Sequence, residues 1–493
     1  MPMPATADAA VLGGGPAGAV AAHLLAGWGH SVVLLTRPSP HRALAESLPP
    51  SVTRLLDHAG LRAAVDAAGF IRATGNTVWW ESGDQRVEPF GEGALGWQVD
   101  RNRFDRLLLQ QAEAAGAFLH RRATVREVSG DGRGRRVRYD AGGTTRALTA
   151  RWVLDCSGRA GLVARHGWRV PEAGLRTMAL IATWDRPRGW PVEDQTHTLV
   201  ESYAGGWAWS VPLSATRRQV TVMVDPTLAR IAGRGRLAAA YRDELGGTAR
   251  LGPMLAGARM VGRPWARDAS PYTAQRTGEP GMLLAGDAVS FADPLSSFGV
   301  KKAIASAWLA AVAVRTALTD SSLAAAALEL HDRRERAMAE ALRAHALEFS
   351  RTAAASYAGG FWARRAELEA GDGLGEPDVR ALRRDPEVLA ALDQLRRREP
   401  LALRAAPGLR RERLPAIRED RITLTEHLVV PAFPSGIRWL RDIDLLRLAD
   451  MAVHADQVPA LFERYCATVA PAPLPDFLGA LAVLLGKGIL ELA

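Results

Sequence analysis

The sequence of 493 residues is basic, yet it contains almost no lysine. Of its 62 lysine and arginine residues only three are lysines, Lys301, Lys302 and Lys487. Lysine can act as a free amine when its pKa is lowered, whereas the arginine guanidinium stays protonated. Chemistry that needs a side-chain amine before residue 301 is therefore excluded.

Cysteine is also scarce, and Cys156 and Cys466 form neither a metal-binding spacing nor a disulfide framework. No signal-peptide pattern is present, and the longest apolar run, 303–314, is shorter than the roughly 20 residues of a membrane helix. We therefore expect no metal, no membrane association and a reducing, cytoplasmic location. The net charge of +9 is compatible with an acidic partner such as a nucleotide, but an arginine-biased coding sequence is the favoured explanation. The absence of a basic run interleaved with aromatic residues argues against nucleic-acid binding.

A G-x-G-x-x-G motif is present at Gly13, Gly15 and Gly18. The apolar run 9–12 predicts a strand before it, the following segment predicts a helix, and residues 31–35 predict a second, parallel strand. In this context the first glycine permits a tight turn, the second lets a pyrophosphate approach the backbone, and the third lets helix and strand pack closely. The sequence therefore predicts an α/β, Rossmann-type dinucleotide-binding domain.

One position departs from this fingerprint. A carboxylate that binds the adenosine ribose is expected about 20 residues after the glycines, but the sequence has Thr36 followed by Arg37. A threonine hydroxyl can hydrogen-bond the ribose, though more weakly than a charged acceptor. We expect both residues to lie at the adenosine end of the site.

The remaining pattern predicts a discontinuous organisation. Short alternating runs rich in Trp and turn residues predict a mainly antiparallel sheet inserted into the nucleotide-binding domain. Helical periodicity follows, and then a helical, winged-helix-like C-terminal cap. The expected boundaries are 1–70, 97–170 and 265–320 for the cofactor domain, 71–96 and 171–264 for the substrate sheet, 321–395 for a helical region and 396–493 for the cap.

Several motifs occur in the order found in a known superfamily. The segments GGGPAG, AESLPP, VDRNRFD, VLDCSGR and GDAVSFADPLSSFGV resemble those of FAD-dependent monooxygenases of the aromatic hydroxylase superfamily. The segment GGWAWSVPL at 205–213 is similar to the W-x-W-x-[IV]-P signature of flavin-dependent halogenases. The resemblance covers about residues 8–365.

The resemblance implies a set of FAD-binding residues. Arg101 would contact the phosphate or ribityl region, Asp287 would hydrogen-bond the ribityl chain, and Phe298 would belong to a helix start beneath the isoalloxazine N1–C2 carbonyl. The whole expected set is Gly13, Gly15, Pro16, Ala17, Gly18, Thr36, Arg37, Glu46, Ser47, Arg101, Gly286, Asp287, Pro294, Ser297, Phe298 and Gly299. Trp207 and Trp209, two residues apart on a strand, would form a wall towards the substrate together with Trp79.

Halogenases resemble one another in a lysine that transfers the halogen, after the ES-x-x-P segment. The matching stretch, GFIRATGNTVWW, contains Arg72 and no lysine. Phe298 also stands where halogenases tend to have serine or threonine. The resemblance therefore favours a non-halogenating relative, and SFGVKKAIASAWLAA looks like the halogenase-like flavoprotein monooxygenases that mature tryptophylquinone cofactors.

This resemblance implies hydroxylation of an electron-rich aromatic ring, of the indole or tryptophan type, through a flavin C4a-hydroperoxide formed with O2. The substrate would be a small aromatic molecule or a Trp in a partner protein or peptide. Because no second nucleotide motif is visible, the electrons would come from transiently bound NAD(P)H or from a separate flavin reductase.

The catalytic groups stay open at this point. Candidates are Lys301, Lys302 and Asp293; His197 and Glu201 fall in the inserted sheet, where such residues are more often structural than catalytic. We expect one of the two tandem lysines to place positive charge near the flavin and the other to be solvated. Three alternatives also remain: a halogenase, an FAD-dependent prenyl reductase, and a non-catalytic FAD-stabilised scaffold.

Overall fold

The computed structural model describes residues 4–37, 44–81, 83–131, 134–229, 231, 236–296, 298–368, 379–397, 400 and 402–493. Two compact units form, residues 1–373 and 374–493. The predicted helical region 321–395 is thus divided between the two units.

A parallel sheet forms the centre of the first unit. In spatial order its strands are Met282–Leu284, Thr144–Asp155, Thr6–Leu12, Val32–Leu35 and Phe118–His120. Residues 9–12 are fully buried, which explains why this strand is apolar throughout. The strands Gly278–Glu279, Gly134–Ala141 and Thr124–Asp131 extend the sheet with antiparallel pairs.

Helices cover this sheet. Pro16–Gly27 follows the first strand and packs against Arg101–Ala114 and Gly299–Thr319. The helix Gly299–Thr319 is, among the described residues, the one long and apolar enough to cross a membrane, but 72% of its apolar stretch is buried inside the protein. Ala324–Ser356 packs against it in turn. The other helical segments of the unit are Pro50–Val52, Thr53–His58, Arg62–Ala67, Gly158–Ala160, Leu237–Gly246, Leu251–Met254, Gly286–Ala288, Pro294–Ser296, Ser321–Leu323 and Gly360–Ala366.

An inserted sheet carries the Trp-rich segments. In the described part of the chain it has seven strands, in the order Arg259–Asp268, Met178–Asp185, Arg217–Val224, Gly206–Pro212, Thr198–Tyr203, Gly75–Trp79 and Gln85–Pro89. Its pairs are antiparallel except that between Thr198–Tyr203 and Gly75–Trp79. The predicted α/β class with an inserted, mainly antiparallel sheet is confirmed.

Two small sheets complete this unit. One joins Ala45–Leu48, Gly96–Asp100 and Ile71–Ala73, and the other joins Arg169–Pro171, Tyr272–Ala274 and Ser290–Phe291. The segment around Glu46 forms the strand Ala45–Leu48 because it pairs with Gly96–Asp100. Ala45 and Leu48 are buried, and the Ala45 N–H donates to Gln219 (2.7 Å).

The second unit mixes helices and short strands around one apolar core. Its helices are Val379–Leu382, Pro386–Arg397, Leu445–Ala452, Val458–Thr468 and Leu474–Gly486. Its strands are Leu403–Ala405, Arg410–Arg418, Arg421–Val430, Phe433–Ile437, Trp439–Leu440, Ile443–Asp444 and Leu490–Leu492. Lys487 forms ion pairs here with Asp385 (2.6 Å) and Glu387 (2.8 Å).

Candidate cofactor and substrate site

The glycine loop has the backbone that its sequence predicts. Gly13 has a φ of +114°, and a Cβ added to it would lie 2.4 Å from the Cys156 carbonyl oxygen. A Cβ on Gly18 would lie 1.9 Å from the Gly13 oxygen, so helix and turn are in direct contact. A Cβ on Gly15 would meet no protein atom within 4 Å. Two glycines are therefore required by the fold, whereas Gly15 faces open space.

That open space is a cavity of about 1030 Å³ in the first unit. This volume is at the upper end of the usual range for small-molecule sites, about 300–1,000 Å³. The cavity extends from the glycine loop to the inserted sheet. The predicted residues that line it are Gly13, Gly15, Pro16, Ala17, Thr36, Arg37, Glu46, Ser47, Arg101, Asp287, Pro294, Gly299, Trp207 and Trp209.

Two other predicted residues, Gly286 and Phe298, are not among the described residues that line the cavity. Gly286 has a φ of +65° and supports the cavity from behind, with its N–H donating to Ser306 Oγ (2.6 Å). Phe298 does not line the cavity and packs near His345, with ring centroids 6.2 Å apart. Ser297 lies outside the described residues.

Arg101 is held by two carboxylates at the cavity wall. Its Nε donates to Asp105 (2.8 Å) and its Nη1 donates to Glu46 (3.3 Å). Burial alone would lower the pKa of Arg101, but Asp105 and Glu46 together raise it above its usual range. Burial raises the pKa of Glu46, which Arg101 opposes. Sequence reasoning missed Asp105, although its i, i+4 spacing from Arg101 was a signal for this ion pair.

The cavity wall is rich in arginine. Arg37 lines it beside Thr36, and so do Arg121, Arg126 and Arg165, which sequence reasoning missed. Arg121 and Arg126 pair with Glu113 and Asp140. The Thr36 hydroxyl lies against Gly14 and donates to the Arg37 carbonyl oxygen (3.3 Å). Positive charge on this wall suits a nucleotide ligand.

The inserted sheet supplies the opposite wall. Trp207 and Trp209 stack with ring centroids 4.7 Å apart and an interplanar angle of 24°. The prediction that Trp79 joins them is wrong. Trp79 packs with Leu180 and Leu199 on the other face of the sheet. Its register places it level with Ala208, and the side chain of Ala208 points to the opposite face from its neighbours Trp207 and Trp209.

The tandem lysines have different surroundings, and neither lines the cavity. The Lys302 Nζ is buried, 3.4 Å from Asp287 Oδ1, and donates to the Ser290 carbonyl oxygen. The Lys301 Nζ is half-buried and lies 4.7 Å from the centre of the Phe298 ring. Burial lowers the pKa of the Lys301 amine.

Asp293 faces a second, small cavity of about 50 Å³ instead of the main one. Its Oδ2 lies 3.9 Å from Arg365 Nε, and the Trp207 indole and the Leu295 N–H also lie against the carboxylate. Burial raises the pKa of Asp293 to about 6, although the charge of Arg365 lowers it. The neighbouring Pro294 does line the main cavity.

The other candidates have structural roles. His197 contacts Thr77 Oγ1 (2.9 Å) away from the cavity. Glu201 accepts the N–H groups of Arg250 (3.0 Å) and Leu251 (2.8 Å) at the start of a short helix. Arg72 pairs with Asp66 and lies over Trp97, 4.4 Å from the ring centroid. Within the described ranges, no group of three or more His, Cys, Asp or Glu residues could hold a metal ion.

These features fit FAD. A Cβ on Gly15 would meet no protein atom and would point into open space, as the motif requires for a pyrophosphate. The helix after it begins without a side-chain cap, which leaves N–H groups for an anion. Residues 6–345 match the family described as FAD binding domain. The chain belongs to this family. Within it the chain is a halogenase-like flavoprotein, and thus an FAD-binding oxidoreductase.

Individual relatives support this placement. Tryptophan 2-halogenase from Chondromyces crocatus is 30% identical over 349 residues, which span 68% of this chain and 66% of that protein. The flavin-dependent halogenase CmlS has a similar fold, with a TM-score of 0.80 at 21% identity over 98% of this chain and 96% of its own. The peptidyl tryptophan dihydroxylase QhpG, essential for tryptophylquinone cofactor biogenesis, has a TM-score of 0.69 at 24% identity, over 98% of this chain and 100% of its own.

Proposed function

We propose that this flavoprotein is a monooxygenase that hydroxylates an electron-rich aromatic ring of the indole or tryptophan type. The substrate is either a small molecule or a Trp within a partner polypeptide, as in tryptophylquinone biogenesis. Bound FAD in its reduced form would supply the activation of O2. Its electrons would come from NAD(P)H or from a separate flavin reductase.

The observation that carries this proposal is the position of the three lysines. Lys302 is bonded to Ser290 and paired with Asp287, Lys487 is paired in the second unit, and Lys301 lies over Phe298. None of them lines the cavity. Arginine cannot replace an amine that accepts halogen, because it stays protonated. Halogen transfer by a cavity amine therefore has no residue to perform it, whereas oxygen transfer needs no such amine.

The chain's own residues would orient the ring and keep water away from it. Trp207 and Trp209 offer a flat apolar surface for an aromatic substrate, with Ile181 and Met223 beside them on the same wall. This arrangement favours a planar ring over a flexible chain, which argues against the prenyl reductase alternative.

The names of two relatives support the substrate class. One relative is a tryptophan 2-halogenase and another is a peptidyl tryptophan dihydroxylase. Both names specify tryptophan, free in the first case and within a peptide in the second. An indole substrate is therefore the first to test.

The experiment supplies reduced FAD and 18O2 to the purified protein with indole, phenol or a Trp-containing peptide. We expect incorporation of labelled oxygen into an indole-bearing substrate, detected by mass spectrometry. Oxidation of reduced FAD without any modified substrate, across all three compound classes, would contradict the proposal and favour the scaffold alternative. A Trp209→Ala variant serves as the control for chemistry inside the cavity.

A second candidate function, halogenation, is favoured by one observation. The Lys301 amine is half-buried at the start of a helix that reaches the cavity, and its pKa is lowered. In this alternative the Lys301 amine, which does not line the cavity in the structure, would act as the halogen acceptor. Halide incorporation that disappears in Lys301→Met but persists in Lys302→Met would establish this alternative.

A further inference from the structure

A buried polar cluster lies directly behind the loop that carries Asp287. Its members come from two packed helices: Lys302 and Ser306 from Gly299–Thr319, and Glu335 from Ala324–Ser356. Lys302 is 5% exposed, and Ser306 and Glu335 are fully buried. Burial of a charged side chain is costly unless it is paired, so this cluster needs a structural or functional reason.

Lys302 contacts two residues of the loop that carries Asp287. Its Nζ donates to the Ser290 carbonyl oxygen and lies 3.4 Å from Asp287 Oδ1. The Asp287 side chain is 32% exposed and lines the cofactor cavity, whereas the Lys302 side chain is 4% exposed and does not line it. The carboxylate is thus the only part of this pair that a bound cofactor can touch.

Two further contacts hold the same loop. Ser306, one helical turn after Lys302, accepts the Gly286 N–H (2.6 Å) and donates to Glu335 Oε1. The Tyr272 hydroxyl donates to the Asp287 carbonyl oxygen (2.6 Å). The loop backbone is thus held by Ser306, Tyr272 and Lys302, and Lys302 also pairs with the Asp287 side chain, on which the charge of Arg101 acts as well.

The Lys302 ammonium has a role beyond packing for two physical reasons. Reduced flavin is richer in electrons than oxidised flavin, so a fixed positive charge near the cavity wall favours the reduced form. A compact ammonium fits between Ser290 and Asp287 as a point charge, whereas a planar guanidinium needs a wider, forked site. This geometry suits a lysine at position 302 better than an arginine.

We propose that Lys302 is a positioning residue for FAD, which orients the Asp287 carboxylate towards the cofactor and stabilises the reduced flavin. The proposal depends only on FAD binding, so it holds for hydroxylation and for halogenation alike. Failure of the proposed aromatic hydroxylation would leave it unaffected.

The test compares Lys302→Met with Lys301→Met, which removes the same charge one residue away. FAD and reduced FAD affinities of the apoprotein are measured anaerobically, together with the midpoint potential of bound FAD. We expect Lys302→Met to weaken reduced FAD about tenfold more than oxidised FAD, equivalent to a midpoint potential about 30 mV lower for a two-electron couple. Lys301→Met is expected to shift the potential much less.

Lys302→Gln is the second variant, because it keeps a hydrogen-bond donor near Ser290 without the charge. It should fold, shown by an apoprotein melting temperature near that of the wild type, and still lower the potential. An unchanged potential in folded Lys302→Met or Lys302→Gln would overturn the proposal, as would equal shifts in the Lys301 and Lys302 variants. Failure of both Lys302 variants to fold would also overturn it, since the role would then be structural.

Discussion

The indole rings of Trp207 and Trp209 stack on the cavity wall with centroids 4.7 Å apart, and Trp79, on a nearby strand of the same sheet, packs on the opposite face. This difference separates a pair that lines the cavity from a tryptophan that packs into the core on the other face of the sheet. It gives a matched comparison, because all three side chains are aromatic and lie in one sheet.

Trp209→Phe should weaken aromatic substrate binding. An aromatic pair contributes about 0.5–1.5 kcal/mol beyond area burial, so we expect KM to rise roughly threefold to tenfold. FAD affinity should not change. Trp79→Phe is the control and is expected to lower the melting temperature without raising KM; a KM increase of equal size in this control would contradict the assignment of faces.

Gly15 and Gly13 of the motif should respond differently to substitution by alanine. In Gly15→Ala the new Cβ meets no protein atom within 4 Å, so the apoprotein should fold normally. FAD affinity should fall on the order of tenfold, because the methyl group occupies the space for the pyrophosphate. The measurement is FAD titration by fluorescence beside thermal melting of the apoprotein.

Gly13→Ala is the contrasting variant. It combines a positive φ with a Cβ 2.4 Å from the Cys156 carbonyl oxygen, and we expect it to be insoluble or strongly destabilised. If Gly15→Ala unfolds as readily as Gly13→Ala, or binds FAD like the wild type, the assignment of the pyrophosphate position is wrong.

Stability should fall as pH rises through neutrality because of Glu335. Burial raises its pKa to about 7 from the ordinary value of 4.5, despite the Ser306 hydrogen bond and the charge of Lys302. Between pH 4.5 and pH 7 the folded state therefore keeps a proton on Glu335 that the unfolded state has already lost. The resulting stability is fully present below pH 4.5 and is lost as pH rises through 7.

Denaturant unfolding of the wild type and Glu335→Gln, from pH 5 to 8, measures this effect. The difference in the free energy of unfolding between the two proteins should change by about 3 kcal/mol over this pH range, and the variant should be the relatively more stable protein at high pH. The groups around Glu335 are His331, Asp332, Lys302 and Cys156. These neighbouring groups are present in both proteins. A difference in the free energy of unfolding that stays constant from pH 5 to 8 would therefore show that the pKa of Glu335 is not raised.

Arg72→Lys should not confer halogenation. Arg72 belongs to the stretch that resembles the lysine-bearing segment of halogenases, but its side chain pairs with Asp66 and lies over Trp97 outside the cavity. A lysine at this position would remain with Asp66. Halogenated product from Arg72→Lys, but not from the wild type, would show that residue 72 does reach the substrate.

Local sequence signals predicted the cofactor half of the site well. The glycine spacing and the apolar strand before it correspond to the observed loop and helix, because both depend on nearest neighbours in the chain. The motif resemblance located Asp287 and the Trp207–Trp209 pair, which all line the cavity.

Features that depend on distant pairing could not be read from the sequence. Trp79 faces away because of its register beside Thr198–Tyr203, and residues 45–48 form a strand only because Gly96–Asp100 lies next to them. The surroundings of Lys302 require two helices and a loop from different parts of the chain. Such contacts are fixed by tertiary packing and leave no local pattern.

The proposed enzyme transfers oxygen and not halogen to its substrate. The most direct measurement is a single-turnover reaction of the FAD-reduced protein with O2, a Trp-containing substrate and excess bromide, followed by mass spectrometry of the product. We predict a product that gains one oxygen atom and no bromine, in the same yield without bromide. A product with the bromine isotope pattern, formed only when bromide is present, would contradict the account.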